Sequence, residues 1–544
     1  MNLHTTPGWL AAAIHPVDLT VIVAYLLAIT AIGILASRKE ARTTSGYFLA
    51  GRSLGWPMIG LALFATNIST VHLVGLASSG FSDGLVIGNF EWMATFCLIL
   101  LGLVFAPFYF RNGISTLPEY LEKRYSPGSR AFLAFMAVVA ALFIHIGVSL
   151  YAGARIFEQF FQINVYWSIL AISALTALYT IVGGLKAVVV TEAIQTFLLL
   201  LGAICVTVFA LLALPDKGID SHAAFQAALK PRQMSMLHPS GDLSWYAVLL
   251  GYPVLGIWYW CADQTIVQRV LGARSRADAQ LGPIFAGFIK ILPVFTMVLP
   301  GVLGYVLFKD KIGDAPDQTL PVLIDQLIPT GLKGLIAAGL LAALMSTVAG
   351  ALNSTSTLVS IDIVKRLRPG TPDPALVRIG QVTACVVMVL AMLWSTQGEN
   401  FGGIFKGINA MIACLAPPIT TVFLWGVFWP RGTARAALVT LVGGFLLGAV
   451  VFVLDFPAFG FRLFTTKLGL PFMLQAWWLF CVCSALFAVT SLLTAPPTEK
   501  QTKDLCWPHP FAALRAEQFA GGHDPRRAAA VLFVAMIVLY VVFA

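Results

Sequence analysis

Residues Arg52 to Ala94 read RSLGWPMIGLALFATNISTVHLVGLASSGFSDGLVIGNFEWMA. The apolar first half, Gly55 to Ala65, is long enough to enter a bilayer, then meets Thr66, Asn67, Ser69, Thr70 and His72 where the hydrocarbon midplane would lie. Lipid offers no water to a hydroxyl, an amide or an opened backbone carbonyl, so such a segment persists only inside protein or against a hydrated cavity. The stretch is therefore expected to be a broken membrane helix with free oxygens turned toward a ligand. Interrupted helices of this kind mark the binding sites of secondary transporters.

The rest of the chain fits that setting. Of 544 residues, 58% are apolar and 11% charged, and the mean hydropathy is +0.85. These values exclude an ordinary soluble globular protein and point to an all-α polytopic membrane protein. Apolar windows of the length a 30 Å core requires number about 14, the first being Val17 to Ala36, expected as a span and not as a cleaved leader. The net charge of +9 comes from short basic clusters between spans, not from one patch, so orientation explains it and a nucleic-acid partner does not. Most Lys and Arg fall on one side, among them Arg38, Arg52, Arg111, Arg130, Arg274, Arg366 and Arg431. The positive-inside rule places that side in the cytoplasm and both termini outside. The eight Cys residues lie mostly within spans, with no metal spacing, and are expected to be quiet thiols.

A second interruption is expected in the span from 244, at Pro253 and Gly256, before the run Trp258 to Gln264. Five spans separate the two breaks, so the broken helices enter from opposite sides, which is the mark of a five-plus-five inverted repeat. The expected units are 1–52 (an extra helix), 53–214 (first repeat), 215–243 (external loop), 244–430 (second repeat) and 431–544 (extra helices with a cytoplasmic loop).

Candidate ligand groups follow from cost. Lys290 lies deep in a span, where a charge costs roughly 2.5 to 3.5 kcal/mol unless it faces the interior; it is a ligand group or a structural ion-pair member. Glu91, nearer a span end, is a ligand group or an interfacial cap. With Asn67, His72 and Asn409 they suit a neutral polyhydroxylated molecule, and no Arg cluster awaits a carboxylate or phosphate. Ala343, Ser346 and Thr347 stand at i, i+3 and i+4 on one helix face. Two hydroxyls and a carbonyl from there, with carbonyls freed at Ala65 and Ile68, would form an oxygen cage for a hard monovalent cation, although Ser and Thr also serve as packing groups between membrane helices. Tyr259, Trp260, Phe90 and Phe405 either stack on and close over a ring or simply pack. No nucleophile, histidine and acid constellation suggests an enzyme.

The strings ALFATNISTVHLVGL, GNFEWMA, YTIVGGLKAVVVTEAIQTF, WYWCADQTIVQRVLGA, ALMSTVAGALNSTSTLVSIDI and APPITTVFLWGVFWPR resemble the sodium/solute symporters, in particular the sodium/glucose cotransporter branch, from about Asp18 to Leu493. The resemblance implies an inverted-repeat core in the plasma membrane (the inner membrane in a bacterium) and uptake of a hexose-like sugar with co-transported sodium. It implies sodium ligands at Ala65, Ile68, Ala343, Ser346 and Thr347, and sugar contacts at His72, Glu91, Lys290 and Asn409, with Asn67 supporting them. Tyr259 would be the inner gate beneath the sugar, Trp260 its neighbour, and Leu76, Phe90 and Phe405 the outer lid. Glu192, where relatives carry Asp, would lie on the sodium path. Three departures stand out. Gly256 replaces an Asn or Thr, Asn409 replaces the longer Gln, and Ala349 with Gly350 replace hydroxyls associated with a second ion. One sodium per sugar is the expectation, and another polar solute such as an inositol, a nucleoside or an amino acid is the alternative cargo.

Overall fold

The computed structural model describes residues 15–37, 43–161, 164–397, 404–455, 462–515 and 524–544, without the side chains of 71, 159–161, 404–411 and 510. Among the described residues the chain is helical, with two isolated bridges and no strand. Among the described residues ten helices are long and apolar enough to cross a membrane, or eleven if the bent pair flanking residue 69 counts as one span. The count expected from the sequence was about fourteen. The difference has physical sources. Trp245–Ile257 is interrupted before it reaches spanning length, and Val165–Leu212, 48 residues that count as one span, is two helices joined at a kink. At 1.5 Å per residue the two helices together amount to about 72 Å, more than twice a bilayer core, so the run is not one straight span. It turns at Gly184, whose φ is +60° and whose place would bring a Cβ within 2.4 Å of the Tyr47 carbonyl. Only glycine meets both conditions.

Depth in the bundle follows helix composition. The helix Leu332–Thr357 is central and almost wholly buried, whereas Pro16–Ser37 and Pro525–Val542 are mostly exposed and turn Leu27 and Val534 outward. The central helix packs along Val165–Leu212, which also contacts Pro16–Ser37 and Trp56–Asn67. Arg276–Ile289 lies against Trp56–Asn67, and Leu299–Ile312 lies against Thr70–Asp83.

The first broken helix consists of Trp56–Asn67 and Thr70–Asp83, bent by 63°. The second runs through Trp245–Ile257 and a π-helical turn, Trp258–Ala262, to Gln264–Leu271. They are antiparallel. The start of the first is joined to the end of the second by bonds between Leu54 and Gly272 (3.1 Å) and between Arg274 and Leu54 (3.0 Å). The end of the first meets the loop leading into the second, where Leu85 N–H donates to the Gln233 carbonyl at 2.8 Å. The interruption in the second helix is not at Pro253 and Gly256. The helix continues through both, with Thr420 Oγ1 donating to the Val254 carbonyl at 2.6 Å. The break falls at Asp263, which adopts an extended conformation and caps the next segment by accepting from Thr265 N–H at 2.7 Å.

Each described chain end is tied to a neighbouring loop or helix start. Met236 N–H donates to the Phe543 carbonyl at 2.6 Å, and the Asp18 carboxylate accepts from Gly331 and Gly334 N–H at 2.8 and 2.6 Å.

Candidate functional site

The site begins with the two extended residues Ile68 and Ser69. Ser69 caps the second segment, its hydroxyl and N–H meeting His72 Nδ1 at 2.9 and 3.3 Å. In an unbroken helix that N–H would serve the Ala65 carbonyl. Diverted to His72, it leaves Ala65 open, and Ser346 Oγ donates there at 2.8 Å. Thr347 Oγ1 reaches the Thr66 carbonyl at 3.1 Å. Both hydroxyls also lie close to the Ala343 carbonyl, at 3.0 and 3.2 Å. Each hydroxyl has one proton and two lone pairs, so three carbonyls and two hydroxyls supply more acceptors than donors. This neutral oxygen set suits a hard monovalent cation. Ala65, Ala343, Ser346 and Thr347 thus come together. Ile68 is adjacent in the chain with its N–H on Phe64 (3.1 Å), while the carbonyl that meets Thr347 belongs to Thr66, a residue the spacing argument passed over.

Thr66 also connects the cage to a buried ion pair. Its hydroxyl donates to Glu192 Oε1 at 2.8 Å, and Arg269 donates to the same carboxylate at 2.5 and 3.2 Å. Both charged side chains are fully buried. The guanidinium lies over Gly350, where a Cβ would be 2.5 Å from Arg269 Nη2.

Beside the cage is a cavity of about 130 Å³. Asn67, His72, Phe90, Glu91, Tyr259 and Trp260 line it, as does Thr347 of the cage. Lys290 does not line it. Its ammonium donates to Glu91 Oε2 and Asn67 Oδ1, with the Trp260 ring centroid 5.4 Å away. Lys290 and Glu91 are 1% and 2% exposed, and such a pair offsets its desolvation only when well hydrogen-bonded. Here the lysine holds two of the groups that face the cavity. Leu76 is buried in the core and outside the lining. The side chains of Phe405 and Asn409 lie outside the described residues.

Polar lining residues that were not singled out from the sequence include His145, Ser149 and Tyr252. Tyr252 Oη donates to the Phe90 carbonyl at 2.8 Å. His145 Nε2 lies 2.9 Å from Asp263 Oδ2, so the helix through Pro127–Ala140 and its π-helical continuation grips the second break beneath Tyr259. The capping preference of Asp was the available signal for Asp263. None was available for a partner 118 residues away.

The pattern of the sodium:solute symporter family matches residues 47–444. Sodium/myo-inositol cotransporter 2 of Sus scrofa is 34% identical over 91% of this chain and 79% of its own length. Sodium/glucose cotransporter 2 of Rattus norvegicus is 34% identical over 81% and 72%, respectively. Among solved structures, a sodium-coupled sialic acid symporter in a substrate-bound outward-open state superposes with a TM-score of 0.77 at 22% identity, covering 89% of this chain and 99% of the other. That likeness establishes a shared fold.

Proposed function

The chain belongs to the sodium:solute symporter family, and from that premise we propose that it carries one sodium ion with one hexose-like sugar across the membrane by alternating access. It is a sodium-coupled symporter and not an enzyme; the choice of solute and the stoichiometry are the finer reading. The observation that carries the reading is the double position of Thr347, which belongs to the oxygen cage and to the wall of the cavity. An ion held by Thr347, Ser346 and the opened carbonyls fixes the break of the first helix. Fixing the break orients Asn67 and His72, and so raises affinity for a solute next door. By linkage the solute raises affinity for the ion equally.

The cavity suits a neutral hydroxyl-rich ring. Glu91 and Asn67 offer acceptors already braced by Lys290, His72 and Ser149 offer hydroxyl-sized partners, and Tyr259 and Trp260 offer aromatic surface. An inositol is the second reading, favoured by relatives named for myo-inositol. One sodium is favoured by Ala349 and by the crowding of Gly350 against Arg269, which leaves no hydroxyl and little space there. The basic face is the cytoplasmic one on the positive-inside rule, so both ends lie outside.

The test is uptake of radiolabelled glucose and myo-inositol into proteoliposomes, with and without an inward sodium gradient, alongside the matching sodium flux. Accumulation driven by sodium at a one-to-one flux ratio is expected. Uptake indifferent to sodium would overturn the reading.

A further inference from the structure

Beyond the cage, the central helix continues as Asn353-Ser-Thr-Ser-Thr357 before a π-helical turn, Leu358–Val364. Thr355 and Thr357 donate to the carbonyls of the preceding turn, both at 2.8 Å. Asn353 behaves differently. It is 2% exposed, and neither its amide oxygen nor its amide nitrogen has a hydrogen-bond partner among the described residues. Ser354 Oγ, Gln268 Oε1 and, farther along, Ser360 Oγ and Asp362 Oδ2 are buried in the same condition. Most buried polar groups in native structures are paired, so a run of unpaired ones calls for a role.

Position supplies one. Ser346, Gly350, Asn353 and Thr357 follow at i, i+4, i+7 and i+11 and share a helix face. That face meets the inner segment of the second broken helix. Arg269 lies over Gly350, and Gln268 Nε2 donates to Thr357 Oγ1 at 2.6 Å, which sets the unpaired Gln268 Oε1 beside the same stripe. Asn353 is two turns from Ser346, about 10 Å along the axis. Glu192 neutralises Arg269, so the stripe is not barred by net positive charge.

We propose that Asn353, with Gln268, forms a second, transient oxygen site that receives the sodium ion after it leaves the Ser346–Thr347 cage, on its way to the basic face. The proposal rests on the sodium-symport reading. When the inner segment of the second broken helix moves away, the unpaired amide oxygens become hydrated and offer the ion ligands in place of those it gives up. Asn353 is then a residue of ion release and has no part in ion capture.

The test separates release from capture in proteoliposomes of the full chain, using whichever of labelled glucose and myo-inositol the wild type accumulates. Net sodium-driven uptake requires the ion to leave; exchange of labelled for unlabelled solute at equal, saturating sodium on both sides does not. Asn353→Leu is expected to slow net uptake about tenfold, the loss of one ligand to a charged group, with exchange within about twofold of wild type and the sodium half-saturation unchanged. Asn353→Ser, which keeps an oxygen, should recover most of the net rate, and Asn353→Ala provides the same comparison if the leucine variant does not fold. Equal falls in net uptake and exchange, or no change in either, would overturn the proposal. A wild type whose uptake ignores sodium would instead overturn the symport reading itself.

Discussion

The hydroxyl of Ser346 donates to the carbonyl of Ala65 at 2.8 Å, joining the central helix to a backbone oxygen that the first broken helix does not use itself. The contact exists because Ser69 N–H turns to His72. Ser346→Ala removes a cage oxygen and leaves the Ala65 carbonyl without that donor. The sodium concentration for half-maximal uptake should rise about tenfold, with a loss of about 1–2 kcal/mol in stability. Sodium titration of uptake checks this, and an unchanged half-saturation would remove Ser346 from the ion site.

Lys290 and Glu91 form a pair that tolerates joint removal better than single loss. Lys290→Met leaves a carboxylate alone at 2% exposure and should cost about 3–5 kcal/mol. The double variant Lys290→Met, Glu91→Gln should recover most of that stability while transport stays impaired, because Asn67 loses its brace. Thermal midpoints of the single and double variants in detergent give the coupling directly. Additive losses would show that the two charges act independently.

Gly256 is set by crowding. A Cβ there would lie 2.5 Å from Cys97 Sγ and 2.8 Å from the Tyr252 ring. The Asn or Thr that the family resemblance implies at this position has no space here. Gly256→Thr should destabilise by about 1–3 kcal/mol through overpacking and disturb Phe90, which Tyr252 holds through its carbonyl. Adding Cys97→Ala should restore part of the loss, as read by thermal midpoint and by uptake.

His145 belongs to the solute side of the site. In His145→Ala, Asp263 keeps its cap on Thr265 and loses its 2.9 Å partner. The KM for solute should rise about three- to tenfold with the sodium half-saturation unchanged, as expected for one lost polar interaction. A shift in sodium dependence with no change in KM would assign His145 to the ion.

Much of this was legible in the sequence because lipid makes polar residues expensive. The run Thr66 to His72 announced a break, and Ser346 and Thr347 announced a hydroxylated helix face. What stayed hidden depended on distance along the chain or on a local competition. The pairing of His145 with Asp263 leaves no periodic trace. Pro253 suggested an interruption, yet the helix runs through it, and the break falls at Asp263, an ordinary capping residue. Lys290 was legible as an interior charge, but its attachment to Asn67 and Glu91, behind the cavity wall, came only from packing.

The buried pairs Lys290 with Glu91 and Glu192 with Arg269 also bear on how the membrane potential acts on this molecule. Each pair cancels internally, so when its two members travel together they move no net charge through the field. Voltage then couples to the passenger cation, at about 2.3 kcal/mol per elementary charge per 100 mV, and the pairs themselves carry no gating current.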